Sequence, residues 1–482
     1  MVEFNLQSLS QMDKTRLGDY KANLDFYDGR QWVEKSKNRQ LVFNYARISI
    51  DKITSYMMKG INFSCDPMQA NPSVSQNGTT VTGDAARQLA QRAESVLYQV
   101  YNDNNLEQLD YETEIDAAIL GDGCYKVTWD AEEERIRVTA PDINGIYAWW
   151  IGDDLSKVWR VASRYQLTRE AVEMLYGRKI GKNTATITEL WTAAEFIIYL
   201  DNEVLQKKPN PYGFIPFIIF PNLRRPKSFW GISDILPLKE AQRELNRALS
   251  QLSRILEVSG NPIAVLEGVE SSEDIRVQPG AVWTLPENTK AYLLDLLEGG
   301  GIRLHVDYID LVYRCLHDIS ETPRAAYGGL ERELSGTALE VEMQSLQQKV
   351  TRKRTIRTPA YNLRNRMILA LHGQFKNEDF SQVFPRIVWG SIMPQDLARE
   401  AQNEQALVQS GVHSRRTAMD QIGIRDPELE FEKWLEERKR ILEMNQQFRA
   451  RPARSGERDR NAASEAESVI APENERLGEI PA

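Results

Sequence analysis

The sequence predicts an α+β fold, mainly helical, on three observations. First, apolar residues in Ser233–Ser259 step by three and four through Ile235, Leu238, Leu245, Leu249, Leu252 and Leu256, with Gln242 as the one polar gap. That spacing is the seam of a long helix. Ile302, Val306, Ile309, Tyr313 and Leu316 repeat it after a break. Second, the break itself, Asn261–Leu296, sets Ile263, Val265, Ile275, Val277, Val282 and Leu285 among Gly268, Pro279, Gly280 and Pro286. β-Branched residues between turn formers predict strands. Third, Thr337-Ala338-Leu339-Glu340 forms a capping box that opens a helix running to about Gln374. At about 1.5 Å per residue that helix is roughly 55 Å long. Pro359 lies inside it and is expected to kink it near Thr355–Thr358.

In chain order, helices are expected at Thr15–Tyr27, Ile48–Met58, Asp84–Tyr101 and Leu106–Leu120, the last stopped by Gly121-Asp122-Gly123. Cys124–Trp129 and Arg135–Thr139 flank the acidic turn Asp130–Glu134 and predict a hairpin. Strands follow at Trp159–Tyr165, Glu189–Ala193 and Phe196–Leu200, interrupted by a helix at Thr168–Tyr176. Five prolines in Lys207–Pro226 limit that stretch to an edge strand or a connector. Pro323–Ser335 reads as a loop, Arg386–Ile392 as a strand, and Leu397–Gly411 and Asp426–Phe448 as helices.

Composition excludes several classes. The 482-residue chain is 41% hydrophobic and 27% charged, as globular proteins are, and its net charge of -9 argues against a simple basic nucleic-acid binder. The three cysteines, Cys65, Cys124 and Cys315, are too scattered for a disulfide framework or a zinc site and fit a reducing compartment. No signal peptide is expected at Met1–Ser10, and no apolar run reaches the roughly 18 residues of a membrane span. The sequons at Asn62 and Asn77 read as chance.

No catalytic constellation is present, so neither an enzyme nor a cofactor is expected. Gly177-Arg-Lys-Ile-Gly181-Lys182-Asn183 approaches a phosphate loop but is one residue short between its glycines and carries Asn where Ser or Thr would hold magnesium. Gly299-Gly300-Gly301 leads into a helix but lacks the strand–GxGxxG–helix context, and reads as a hinge. His305 and His317 have no third ligand. Asp153-Asp154 is a solvated turn. The basic run Lys349, Arg352, Lys353, Arg354 and Arg357 precedes Pro359. It is open to two readings: pairing with acids within or between subunits, or a basic helix surface that meets phosphate or an acidic partner.

The order of these elements resembles the portal proteins of tailed bacteriophages. The resemblance rests on Tyr27-Asp28-Gly29-Arg30-Gln31-Trp32, on Asn210-Pro-Tyr-Gly213 with Ile215-Pro216-Phe217, and on Gly231-Ile-Ser-Asp234 leading into Leu245-Asn246-Arg247. It continues through Asn261-Pro262, Pro279-Gly280, Leu285-Pro286 and Ser335-Gly-Thr-Ala-Leu-Glu340 to Ser410-Gly411, Ser414-Arg415, Gly423-Ile-Arg-Asp426 and Glu428. It spans about Tyr27 to Arg438.

The resemblance implies a portal fold with wing, stem, clip and crown regions around a central channel. Residues 1–230 would be the N-terminal wing, 231–260 the first stem helix, 261–298 the clip and 299–322 the second stem helix. Residues 323–335 would form the tunnel loop, 336–396 the long kinked helix and the return to the wing, 397–448 the crown helices, and 449–482 a disordered tail. It further implies a ring of twelve at one capsid vertex, non-specific passage of double-stranded DNA, and contacts with the terminase large subunit, major capsid and scaffolding proteins and a head–tail adaptor, without a membrane. Arg324, Arg332, Glu331 and Glu333 would give the tunnel loop weak, mixed contacts to DNA. Trp283, with Ile275 and Val277, would anchor clip docking or fill the clip's own small core. Two rivals are a coiled-coil scaffold or adaptor without a channel, and a nucleic-acid motor, for which the required phosphate loop and metal ligand are missing.

Overall fold

The computed structural model describes residues 6–33, 39–67, 83–260, 264–267, 290–293, 301–328, 336–392, 397–424 and 427–449. The chain divides into two units, Met1–Met393 and Pro394–Ala482. The first unit opens with α1 (Leu9–Met12), α2 (Lys14–Tyr27) and α3 (Tyr45–Met57), followed by strand β1 (Ile61–Pro67) and helices α4 (Gly83–Asp103) and α5 (Leu106–Leu120). Asn44 starts α3 by accepting the Arg47 N–H on its side-chain oxygen at 3.2 Å. α5 stops at Gly121, where φ is +115°, a conformation that favours glycine.

Eight strands follow. β2 (Asp122–Asp130) pairs with β3 (Arg135–Thr139) in the expected hairpin, with Asp130 opposite Arg135. Its other edge pairs with β9 (Phe217–Pro221), a three-stranded sheet in which β9 is an edge strand, as Pro216 and Pro221 require. β4 (Ile146–Ile151), β5 (Asp154–Thr168), β6 (Thr184–Thr192), β7 (Glu195–Leu200) and β8 (Glu203–Pro209) form a five-stranded antiparallel meander in sequence order. Helix α6 (Arg169–Tyr176) connects β5 to β6.

The chain then enters α7 (Lys239–Gly260), the paired strands β10 (Ala264–Glu267) and β11 (Lys290–Leu293), and α8 (Gly301–Ser320). The long helix expected from Thr337 is two: α9 (Gly336–Glu342) and α10 (Gln344–Lys376), separated at Met343. α10 keeps its helical assignment through Pro359. Just before the proline, the Thr355 and Thr358 hydroxyls donate to the carbonyls of Thr351 and Arg354, bonds that favour helix bending. β12 (Val383–Trp389) pairs antiparallel with β1 across more than three hundred residues, Ile61 opposite Trp389. Both edges of this ribbon are capped by helices: Glu94 accepts the Cys65 N–H at 2.7 Å, and Asn362 accepts the Ile387 N–H at 2.9 Å.

One core joins α4, the β1–β12 ribbon, the three-stranded sheet and α10 through Phe63, Val96, Leu97, Tyr125, Phe220, Tyr361 and Ile368. A second joins α2, α3, α5 and the residues before α7 through Phe26, Ile50, Ile119, Ile235 and Leu238. The second unit contains α11 (Leu397–Gln409), α12 (Arg415–Gln421), which the sequence reading did not anticipate, and α13 (Pro427–Arg449). Ile275, Val277, Trp283, Glu331, Arg332, Glu333 and the tail beyond Arg449 lie outside the described residues.

Candidate functional site

The α7–α8 pair is rooted in the first unit by a buried charge network. On α10, Lys349, Lys353, Arg357 and Arg364 recur at intervals of four, four and seven, which places them on one helix face. On α5, Asp110 and Glu114 lie one turn apart. The stripes meet antiparallel. Arg357 donates from Nε to Glu114 Oε2 at 2.7 Å and from Nη2 to Oε1 at 3.1 Å, while Arg364 grips Asp110 with both terminal nitrogens. Lys353 Nζ lies 3.0 Å from Glu114 and 2.9 Å from Asp234, just before α7. Lys353, Arg357 and Arg364 are all 0% exposed.

Lys349 spans the root. Its Nζ is 3.1 Å from Asp234 Oδ1, where the chain leaves for α7, and donates at 3.0 Å to the carbonyl of Ser320, where α8 returns. The neutral ring of His317, whose pKa burial lowers, shapes the turn beyond with Nδ1 2.8 Å from the Thr322 carbonyl. Burial pushes the Glu114 carboxyl up, but Arg357 and then Lys353 outweigh it and hold it below its ordinary value. Asp234 is held low in the same way by Lys349 and Lys353.

The Gly231-Ile-Ser-Asp234 segment is clamped from the other side. Ser233 Oγ donates to the carbonyls of Ala118 and Ile119 at the end of α5, and the Asp234 N–H donates to Ala118 at 2.9 Å. Asn222 Nδ2 donates to the Ile232 carbonyl at 3.0 Å. Gly231 donates its N–H to Asp122 Oδ1 at 2.8 Å, and Tyr20 donates to Asp122 Oδ2 at 2.5 Å. Burial raises the Asp122 carboxyl to about 6 against the lowering by Tyr20 and Gly231.

An N-terminal strap completes the root. Gln242, the polar gap in the α7 seam, accepts the Ala46 N–H at 3.0 Å and donates to the Phe43 carbonyl at 2.6 Å. Asn246 accepts the Phe43 N–H and donates to Gln31 Oε1 at 2.6 Å. Gln31, of the Tyr27–Trp32 segment, is itself buried and donates to Phe26 and Asn44. The arrangement offers no free nucleophile or acid–base pair. Its polar groups are spent on fixing where α7 begins and α8 ends.

Away from the root, the helical pair is different. Tyr308 donates to Glu244 at 2.7 Å, and Leu316 is buried. A second stripe on α8, Leu304, Tyr308, Leu311, Cys315 and Ile319, is exposed along its length, with Leu304 at 72% and Leu311 at 55%. Val306 and Leu256, both expected in the seam, are also about half exposed.

The reading of Lys349–Arg357 as a basic helix surface is therefore corrected. Lys349, Lys353, Arg354 and Arg357 are buried because α10 lies against α3, α4, β2, β9 and β12, and their counter-charges and acceptors come from within the chain. Arg354 caps the end of α3 by donating to the carbonyls of Tyr56, Met57 and Lys59, and also reaches that of Gly390. Only Arg352 of the five is exposed, paired with Glu321 at 2.6 Å. Arg324 is exposed and stacks over Tyr313 at 5.7 Å. Asp110, Glu114, Asp234, Asn222 and Gln31 were not singled out as site residues. For Asp110 and Glu114 the signal was available as acids at i and i+4 on α5, matching the helical spacing of the cations on α10.

Among the described residues no helix is long and apolar enough to cross a membrane, and no cluster of His, Cys, Asp and Glu could hold a metal ion. Residues 6–444 match the family described as phage portal protein, SPP1 Gp6-like. No curated protein matches the sequence.

Proposed function

Because the chain belongs to the phage portal proteins of the SPP1 Gp6-like family, we propose that it closes into a ring of twelve at the capsid vertex and passes double-stranded DNA during packaging and ejection. Members of this family are structural components of the phage capsid vertex rather than enzymes, and this chain is one. In this reading the α7–α8 pair is the stem, residues 261–298 the clip, residues 323–335 the tunnel loop, residues 1–230 the wing, residues 336–396 the long helix and the return to the wing, and α11–α13 the crown.

One observation supports ring closure most strongly, the second apolar stripe of α8, of which Leu304, Leu311 and Ile319 are exposed while Tyr308 reaches back to Glu244 of α7. A helix with two apolar faces needs two partners, one inside the chain and one outside it. A neighbouring copy related by rotation supplies the second heterologously, and closure ends growth. Twelve helices about 10 Å across, side by side, leave a bore on the order of 28 Å.

End-on electron microscopy of the purified oligomer tests the reading. A ring with a central hole is expected. A rod or a small bundle would instead establish the coiled-coil scaffold, the second reading that the same stripe allows. Within the ring, Arg324 and Arg332, balanced by Glu331 and Glu333, would touch DNA weakly. Unchanged packaging and DNA retention after Arg324→Glu with Arg332→Glu would refute that role. Trp283 would anchor terminase or adaptor docking at the clip, and Trp283→Ala with intact ring assembly and terminase binding would refute it.

A further inference from the structure

The link between β5 and β6 forms, with the β7–β8 turn, a cleft at one end of the five-stranded sheet that neither the root nor the stem uses. Thr168 ends β5 and caps α6, its Oγ1 accepting the Ala171 N–H at 3.3 Å. α6 stops at Gly177 with φ +63°, and the following loop folds back until the Asn183 carbonyl accepts the Arg169 N–H at 2.9 Å. Opposite, the β7–β8 turn is held by Asp201, whose Oδ1 accepts the Thr186 N–H at 3.0 Å. The cleft between them measures about 470 Å³ and is lined in part by Arg178, Lys179, Ile180, Lys182, Leu200 and Val204.

This is where the near-phosphate-loop motif falls. The loop follows a helix and leads into a strand, so it has no helix N-terminus to present amides to a phosphate. Its cations remain. Lys179 lies 3.7 Å from Glu173, whereas no ion pair joins Arg178 or Lys182 among the described residues. Of the cleft's own acids, Asp201 is committed to the turn, and Glu203 is the other. At the same end of the sheet, apolar side chains stand in solvent. α6 buries Val172 and turns Met174 and Leu175 outward, 80% and 58% exposed, and Val204 is 59% exposed. A solvated helix face is ordinarily polar, and an adaptable methionine beside leucine and valine is the composition of a contact surface. Phosphate recognition would use the cations but not these three residues.

We propose that this end of the sheet docks an acidic, apolar-bearing segment of a protein of the capsid shell. Its carboxylates would meet Arg178 and Lys182, and its apolar side chain would fill the cleft beside Val204. The inference rests on the reading of the chain as a capsid-vertex component and names the chemistry of the partner there.

The test co-expresses the full-length protein with its phage's major capsid and scaffolding proteins and counts its copies per purified capsid by quantitative mass spectrometry. Arg178→Glu with Lys182→Glu is expected to lower incorporation roughly tenfold while the isolated oligomer is unchanged in native mass spectrometry. Met174→Ser with Leu175→Ser, which does not touch the charges, is expected to lower it less and independently of salt. Incorporation of both variants at the wild-type level would overturn the proposal and leave the vertex reading intact. Loss of DNA retention by the charge-reversed oligomer with normal incorporation would overturn it in favour of a nucleic-acid contact. Wild-type protein absent from capsids would overturn the vertex reading and the docking surface together.

Discussion

At the root of the α7–α8 pair, Lys349, Lys353, Arg357, Glu114 and Asp234 are buried, each with its counter-charge in the same chain. Along the same pair, Leu304 and Leu311 stand in solvent. The two regions place residues against their ordinary preference, charges inside and leucines outside, and the costs differ. A buried charge without a partner costs several kcal/mol and would stop the single chain from folding. An exposed leucine forgoes only about 1.5–3 kcal/mol of burial, which a later neighbour can restore. The root is therefore complete in one chain, while the outer face of α8 leaves room for a partner outside it.

The comparison breaks first if the root is not held by charge. Glu114→Ala would leave Arg357 buried against only the neutral oxygens of Pro221 and Asn222, and Lys353 sharing Asp234 with Lys349, so urea unfolding should show a loss of about 3–5 kcal/mol. Adding Lys353→Met should recover part of that loss, because it removes one of the buried cations left in excess of Asp234. A loss below about 1 kcal/mol would mean that packing, not pairing, fixes the root. Gly231→Ala probes the same place without touching charge. The added methyl would run into the Gly121 carbonyl oxygen and lie 2.7 Å from Pro221 Cβ and 2.9 Å from the Leu223 oxygen. Backbone and a proline ring give way poorly, and a loss of about 1–3 kcal/mol is expected in the same assay.

A smaller effect separates the carboxylates of the root by sign. The Asp122 carboxyl, ordinarily at 3.8, is raised to about 6, so the fold favours its neutral form. Its contribution to stability is full below the ordinary value and is lost as pH rises from about 4 to about 6. Glu114 and Asp234, held low, contribute in the opposite sense: their stabilisation is present above the ordinary carboxyl range and is lost as pH falls through their lowered values. Asp122→Asn keeps the shape and removes the titration. The difference in unfolding free energy between wild type and variant should change across pH 4–6 and be flat above it. A flat difference throughout would show that Asp122 is not buried in solution.

The legible and illegible parts of the sequence follow the same division. Local patterns read well: α5 runs over the expected residues, and the β2–β3 hairpin forms around its acidic turn. The register of β1 with β12 could not be read, because it joins Ile61 to Trp389 and no local period carries so distant a pairing. The basic run on α10 stayed open to two readings because helical spacing gives faces but not what lies opposite. Only with α5 set antiparallel to α10 do Asp110 and Glu114 become its partners. Gln242 was visible as a gap in the seam, and its cause was not: it binds the backbone of a strap two hundred residues earlier. The seam on α8 was read as one stripe because Ile302 to Leu316 satisfied the period, and Leu304, Tyr308, Leu311, Cys315 and Ile319 form a second.

That second stripe is the sharpest test of the comparison, because its effect on the single chain should be the smallest. Leu304→Asp with Leu311→Asp replaces two side chains that are already largely solvated, so chain stability measured at dissociating dilution should stay within about 0.5 kcal/mol of wild type. In an assembled ring the same two aspartates would sit desolvated in every interface without a counter-charge, and a closed ring multiplies that penalty by its number of contacts. Under the proposed ring, native mass spectrometry should then show monomers or open fragments where the wild type is expected to be closed. An intact ring with unchanged stability would mean that this face of α8 meets solvent, and the neighbour's contact would have to be sought elsewhere on the stem.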